Sequence, residues 1–540
     1  MRKNTGCQQN ERSGRSFAHR FWFQFCAVAL ALYTAYVVCL SKSSLFEGTA
    51  ATLCSLLVFV LIAAGLYGLL LFACKKLAAL PLPAAARPAK PWLLWLICLA
   101  VSAFVLGSAF LKAYPGGVSY DAANQWWQAR SGEYNNWHPV FHTLLIRLCT
   151  LVVDRYPFVV FVQCAAFALA AAYLSRTLNR LGMPAWLVIL LHLLVQLTPL
   201  VRNTLMYVWK DNAMCIGVVI LCAQSLRMLS TRGEWLRRWP NALAFGLMLA
   251  FTTLVRHNAL LFTLPLGVIV LCSFAGVRRM AALSLAVMLA GMLLIRGPVY
   301  GSLDVVYPDN TLEEAVGLPM TLLGNAVQQS PEALDDETKA FLFGLTAEEN
   351  WQKAYRLNDY NSIKFTYPRE GVARMDGAEL LGMAARTALR APRLTFETFN
   401  SVTGLVWDVT GEDRGMVAIS NSGDLPEESV GHPALNGVGE TLCSLMDAPM
   451  QLAPLRWLTR NIGVQQLLLL LAVLIALYRK GPGVLSLGFP LLIYNLATML
   501  LLCGNDARFF QFVMAVALPS AAALWWLPDS KMLPGSENNP

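Results

Sequence analysis

Apolar runs near residues 21–40, 51–73, 92–111, 157–174, 185–201, 211–228, 241–255, 259–276, 280–297, 462–478, 483–503 and 509–527 constrain this chain more than any other feature. A hydrocarbon core about 30 Å thick takes about 20 helical residues to cross, and backbone amides inside it must be satisfied within the segment. The twelve runs therefore predict an all-α polytopic membrane protein with about 12 transmembrane helices. Composition agrees: 14% of residues are charged, against about 25% in soluble proteins.

Charge sets the expected orientation. Residues 298–454 carry 23 acidic and 10 basic side chains, a net of −13, which leaves +22 for the rest of a chain whose total is +9. The basic excess lies in Arg2, Lys3, Arg12, Arg15 and Arg20 and in short loops holding Lys75, Lys76, Arg87 and Lys90, Arg176 and Arg180, Arg227 to Arg238, Arg278 and Arg279, and Arg479 and Lys480. Such clusters mark the cytoplasmic side, so both termini are expected inside a multi-pass cell (inner) membrane protein, and the basicity gives no argument for nucleic acid. Most of the 13 cysteines sit in apolar runs and none forms a Cys-x-x-Cys pair, so neither a disulfide framework nor zinc is expected. No P-loop or glycine-rich nucleotide fingerprint occurs.

The threading gives a cytoplasmic N-terminus (1–20), nine spans within 21–297 that include an outer loop and surface helix (113–156), an extracytoplasmic, mainly helical domain (298–455), three further spans (456–527) and a cytoplasmic tail (528–540). Two choices matter. Pro139 to Val153 is 15 residues, about 22 Å of helix, too short to cross. Its polar members Thr143, Arg147, Thr150 and Asp154 recur at helical steps, so it is expected to lie on the outer surface with one wet side. In the long polar segment, helices are expected over Pro331 to Leu345, Thr346 to Tyr355 and Asp376 to Leu389.

On the outer face the positive-inside pattern is broken by the stretch Gly116 to Thr143 and by three turns, Tyr207-Val-Trp209-Lys210-Asp211, Arg256-His257-Asn258 and Asn505-Asp506-Ala-Arg508. Ionisable groups at a membrane boundary cost free energy unless paired or solvated, so several on one face point to a shared pocket. Asp121 is the candidate base or, alternatively, the cap of a helix starting at Ala122; as a base it would need burial to raise its pKa. Arg256, Arg508 and Lys210 are candidates for a phosphate, although Asp211 could instead neutralise Lys210. Trp126, Tyr134 and Trp137 could stack on a sugar or isoprenoid, or belt the interface. His138 and His142, four residues apart, could join Asp121 around a divalent metal, but no third clear ligand is visible and no metal residue is assigned. Gln125, Asp211 and Asn258 complete the expected substrate contacts, with Lys364 and Arg369 of the aromatic stretch Tyr360 to Glu370 suited to a sugar or phosphate, or to a solvated face.

These motifs in this order resemble the GT-C class of integral-membrane glycosyltransferases, in particular the protein mannosyltransferase and aminoarabinose-transferase type. Tyr120-Asp121 resembles that class's acidic motif, and Trp137-His138-Pro139-Val140 its His-Pro-Pro opening of a surface helix, with Val140 in place of the second proline. Asn136 to Pro139, Trp209-Lys210-Asp211, Arg256-His257-Asn258 and Asp506-Ala-Arg508-Phe are similar to a largely uncharacterised group of bacterial multi-span proteins with GT-C-like topology. The chain departs from the class in its two extra early spans, its single acid and its mid-chain outer domain. The resemblance implies a polyprenyl-phosphate-linked sugar donor, an envelope glycan, lipid or protein acceptor, and contact with membrane lipids, with Asp121 as base and the outer cations on the donor phosphate. Two other functions use similar parts: a flippase or transporter of a lipid-linked sugar, and an O-antigen ligase or polymerase. The first needs polar groups deep in the bilayer and internal repeats; the second needs no His-Pro surface helix.

Overall fold

A computed structural model describes residues 5–308, 312–367, 376–411, 416–419, 423–430 and 435–528. Among them the chain is helical, with pairing limited to isolated bridges such as Gly117 to Tyr207 and Asn135 to Val306. Each expected span is a helix. Nine among the described residues are long and apolar enough to cross a bilayer: Arg20–Lys42, Thr49–Ala79, Pro91–Ala113, Tyr156–Arg180, Lys210–Ser230, Ala275–Ser302, Ile462–Lys480, Pro482–Met499 and Ala507–Trp526. The other three are shorter, Ala185–Leu197, Trp239–Leu254 and His257–Ser273. The first of these stops at Thr198 because Pro199 lacks an N–H to continue the ladder and starts a new short helix, Pro199–Thr204.

Numbered in chain order, α1 is Thr5–Val38, α2 Thr49–Ala79, α3 Pro91–Ala113, α4 Tyr120–Ser131, α5 Val140–Thr150, α6 Tyr156–Arg180, α7 Ala185–Leu197, α8 Pro199–Thr204 and α9 Lys210–Ser230. Helix α9 is the best enclosed of the long spans, packing against α6 and Trp239–Leu254. Its Gly217 lies so close to Thr252 that a Cβ there would meet the Thr252 hydroxyl at 2.3 Å. Helix α2 is the opposite case, with Leu53, Leu57 and Leu61 about 60% exposed, as suits a helix turned towards lipid.

Helix α5 differs from expectation in which side it shows. Its polar side is turned inward: Thr143 is buried and the Arg147 guanidinium donates to the Ala129 carbonyl of α4 (3.0 Å). Leu148 is exposed on the helix, and past its end Leu151, Val152 and the expected wet residue Asp154 are exposed as well. Arg147 satisfies carbonyls at the C-terminal end of α4, where a cation also complements the helix dipole, so the apolar side is the one left outside.

The polar segment 298–455 divides in two. Its first part has its own core, drawn from Met320, Leu323, Leu342, Trp351, Tyr360, Ile363 and Leu380 with Cys503 of the bundle. The expected helices appear there as Asp336–Leu345, Glu348–Lys353 and Gly377–Arg390, the first and last N-capped by Asp335 and Asp376. Its second part belongs to the bundle: Val402 to Trp407 join the main core, and Gly439 of Asn436–Asp447 lies against the backbone of Lys112 at the end of α3. The self-contained unit thus ends well before residue 455, because apolar side chains after residue 400 find the bundle first. Arg369, and the tail from residue 529, lie outside the described residues.

Candidate functional site

The loop into α4 is shaped by two glycines. Gly116 has φ +121°, and a Cβ on Gly117 would lie 2.5 Å from the Tyr207 ring, so only glycine lets the loop rest on that ring. The Gly117 amide donates to the Met206 carbonyl (2.9 Å) and the Tyr156 hydroxyl to the Gly117 carbonyl (2.7 Å). Two residues on, Ser119 caps α4 by accepting from the Ala122 amide, and it also accepts from the Trp209 indole (2.7 Å). The cap is therefore Ser119 and not Asp121, whose carboxylate in the first helical turn turns to other partners.

Asp121 sits in a cluster built from four distant parts of the chain. Its Oδ2 lies 3.0 Å from Arg508 Nη1 and its Oδ1 3.7 Å from His138 Nε2. Arg508 also grips Asp506 through Nε (2.7 Å) and lies over the rings of Trp209 (4.7 Å) and Phe509 (5.1 Å). Trp209 stacks in turn on Tyr207, ring centres 3.9 Å apart. The guanidinium is thus held by two carboxylates and two ring faces, which fixes its plane.

Lys210 opens α9 and is placed differently. Among the described residues it makes no ion pair, and its Nζ lies 2.8 Å from His138 Nδ1. An ammonium can only donate, so Nδ1 accepts and the ring proton stands on Nε2, facing Asp121. Burial, then Lys210, pushes the His138 pKa down to about 3, so the ring is neutral at ordinary pH. Burial pushes the Asp121 carboxyl up, but Arg508, then Lys210 and His138, outweigh it and hold it well below the usual carboxylate range. The raised pKa expected for a base is not what this arrangement produces, because an arginine occupies the acid. Its side chain remains 30% exposed, so it is reachable.

Asp211 does not neutralise its neighbour Lys210. It pairs with Arg256, both almost wholly buried, and Arg256 lies 4.4 Å over the Phe509 ring. The turn before α9 is fixed by Asn212, which donates to the carbonyls of Thr204 and Tyr207 (both 2.8 Å) and accepts from Gln511 (2.9 Å). This neutral network ties the Lys210 turn to the Arg508 turn.

The remaining candidates separate by burial. Gln125 donates to Thr143 (3.0 Å) and accepts from His142 Nδ1 (3.1 Å), joining α4 to α5. His142 therefore faces Gln125 and not Asp121; burial, then Lys210, pushes its pKa down to about 3. Trp126 is fully buried edge-on to Tyr156, with no face left for a ligand, and Tyr134 is buried with Val140 and Tyr300. Trp137 stays half-buried beside His138, and Asn258 is half-buried in the turn after Arg256. Lys364 is not on a solvated face: it is 2% exposed and pairs with Glu314 (2.5 Å), and Glu314 lies within electrostatic reach of Lys210. Glu314, Ser119, Trp209 and Phe509 are site residues not assigned a role from sequence. The two aromatics lie inside the motifs that supplied Lys210 and Arg508, whereas nothing local marks Glu314. Among the described residues no group of three or more His, Cys, Asp or Glu is placed to hold a metal ion.

No protein-family model matches the chain, and no curated protein does. Among solved structures it is similar to the single-particle cryo-EM structure of arabinosyltransferase EmbB from Mycobacterium smegmatis, at 14% identity and a TM-score of 0.32, over 82% of this chain and 45% of that one. The chain spans less than half the length of that structure, and at this score the likeness carries no argument about activity.

Proposed function

We propose that this protein, with about twelve spans, is a membrane glycosyltransferase of GT-C type, moving a sugar from a polyprenyl-phosphate donor to a hydroxyl of an envelope acceptor on the outer face of the membrane. The observation that carries the reading is the meeting of a reachable carboxylate, Asp121, with Lys210 and Arg508, and with Arg256 behind them, at one end of an apolar bundle. Asp121 takes the acceptor proton as the acceptor oxygen attacks the anomeric carbon. The sugar–phosphate C–O bond breaks with its electron pair going to the phosphate, whose charge Lys210 and Arg508 stabilise.

The free site is self-inhibited in this scheme. Arg508 bound to Asp121 makes the acid a weak base; a donor phosphate that draws Arg508 and Lys210 to itself releases that pull and strengthens the base where the acceptor arrives. His138, with its proton fixed on Nε2 by Lys210, orients the carboxylate. The test is Asp121→Asn in membranes supplied with a polyprenyl-phosphate sugar, read as glycosyl transfer. Transfer at the unmodified rate ends this assignment.

A second reading, transport of a lipid-linked sugar, draws on polar groups inside the spans, Gln466 bonded to Asn495 and to Tyr33 (3.2 Å). Donor flipping without transfer in the Asp121→Asn protein would favour it.

A further inference from the structure

A second charged cavity lies at the same end of the bundle as Asp121. It has a volume of about 290 Å³ and is bounded by the last turn of α3, by α8, by residues 416–419 and by Asn436–Asp447. Among the described residues its lining includes Lys112, Arg202 and Arg460 against the single carboxylate of Asp447. Arg202 is 4% exposed; its Nη2 meets Asp447 Oδ1 at 2.7 Å, while its Nη1 has no hydrogen-bond partner. Among the described residues that buried N–H is uncompensated, and the three cations around the cavity outnumber its one carboxylate, a charge excess that an anion would balance.

The cavity is distinct from the Asp121 cluster yet shares a wall with it. Asn203 donates to the Val417 carbonyl (2.8 Å) and the Tyr207 hydroxyl to the Ala418 carbonyl (2.9 Å), which holds the segment that presents Met416 and Ile419 to the cavity. Tyr207 is also the ring beneath Trp209 and Arg508. The volume stands near the lower end of small-ligand pockets, which begin at about 300 Å³. Lys112 stands at the end of a span, where a lipid phosphate lies.

We propose that this cavity is a second anion site that takes a phosphate-bearing group through Arg202 and Lys112, separate from the Asp121 cluster and joined to it by Tyr207. It does not depend on the glycosyl-transfer reading, since binding alone defines it.

The test uses the full chain in nanodiscs, with bound phosphates counted by native mass spectrometry. One set of discs contains phosphatidylglycerol in phosphatidylcholine; the other is phosphatidylcholine alone with glycerol phosphate added. Saturable retention is expected, weakened about tenfold by Arg202→Gln, a change of about 1.4 kcal/mol. Met416→Trp, which fills the cavity and leaves the Arg202–Asp447 pair in place, should weaken it similarly and decides the matter if Arg202→Gln does not fold. Lys210→Gln should leave the Arg202-dependent part of the retention unchanged. Retention in the lipid discs alone assigns a lipid headgroup, and retention in both assigns a small phosphate. The proposal is overturned by no saturable retention in either set, by full retention in either folded cavity variant, or by loss of the Arg202-dependent part in Lys210→Gln, which would place that anion at the Asp121 cluster.

Discussion

Two buried histidines in this protein sit in opposite company. His192 of α7 meets only neutral partners: its Nε2 donates to the Cys98 carbonyl (3.0 Å), Ser175 faces Nδ1 (3.0 Å), and Ser102 and Gln196 complete the group. His138 lies between an ammonium and a carboxylate. The first arrangement is interhelical glue, satisfying polar groups between α3, α6 and α7 at modest net gain. The second concentrates charges whose pairing must first offset their desolvation, as expected of the proposed reaction site.

Four predictions press on that contrast. Asp121→Asn should lower glycosyl transfer by the folded fraction about 10²–10⁴-fold, a loss separate from whatever stability goes with its Arg508 pair; His192→Leu should instead lower stability by about 1–3 kcal/mol and leave the turnover of the folded fraction intact. The contrast fails if both variants lose turnover equally. Asp211→Asn strands the buried Arg256 charge and should destabilise by about 3–5 kcal/mol, seen as a lower melting temperature, while a paired Asp211→Leu and Arg256→Met protein should be markedly more stable than either single variant.

The third concerns pH. Asp121 has a depressed pKa, so its ion pairs stabilise the fold above the ordinary carboxylate value near 3.9 and are lost as pH falls through the lower folded value. Its anion therefore persists at pH 4, and the acid limb of kcat/KM should lie below that. Arg508→Gln removes the main opposing charge and should move that limb up by about one unit or more; an unmoved limb would show that Asp121 does not control it. His138 and His142 respond to acid in the same direction but at higher pH: the unfolded state takes up their protons below about pH 6.5 and the folded state does not, so each lowers stability by up to about 1.4 kcal/mol per pH unit below that point. Unfolding free energies measured from pH 7 to 5 should fall, and fall less in His142→Gln. The smallest effect is expected for Trp209→Leu, which removes one ring face from Arg508 and the indole bond to Ser119, a loss of about 1 kcal/mol, or roughly fivefold in activity.

The helices were readable from sequence because apolar length is a local property: each of the twelve runs is helical, 185–201 being broken at Pro199, and nine of the helical segments among the described residues reach spanning length. The acidic helix-capped unit around Asp335 and Asp376 was readable for the same reason. The division of 298–455 was not, since which core Val402 and Trp407 join depends on what lies beside them. Trp126 could not be told from a stacking platform, because a buried tryptophan and an exposed one look alike in a motif.

At the site, sequence alone determined which groups stand out: Asp121, His138, Lys210, Arg256 and Arg508 are ionisable or titratable residues next to apolar runs, and the cost of that placement marks them. Their pairing was decided only in three dimensions. Lys210 and Asp211 are adjacent in sequence, yet a helix start points them apart, so Asp211 takes Arg256 and Lys210 takes His138. The same long-range closure puts Arg508 on Asp121, which reverses the sign of the pKa shift expected of a base. Coulomb energy falls with distance, and distance between residues 121 and 508 is set by how the bundle closes.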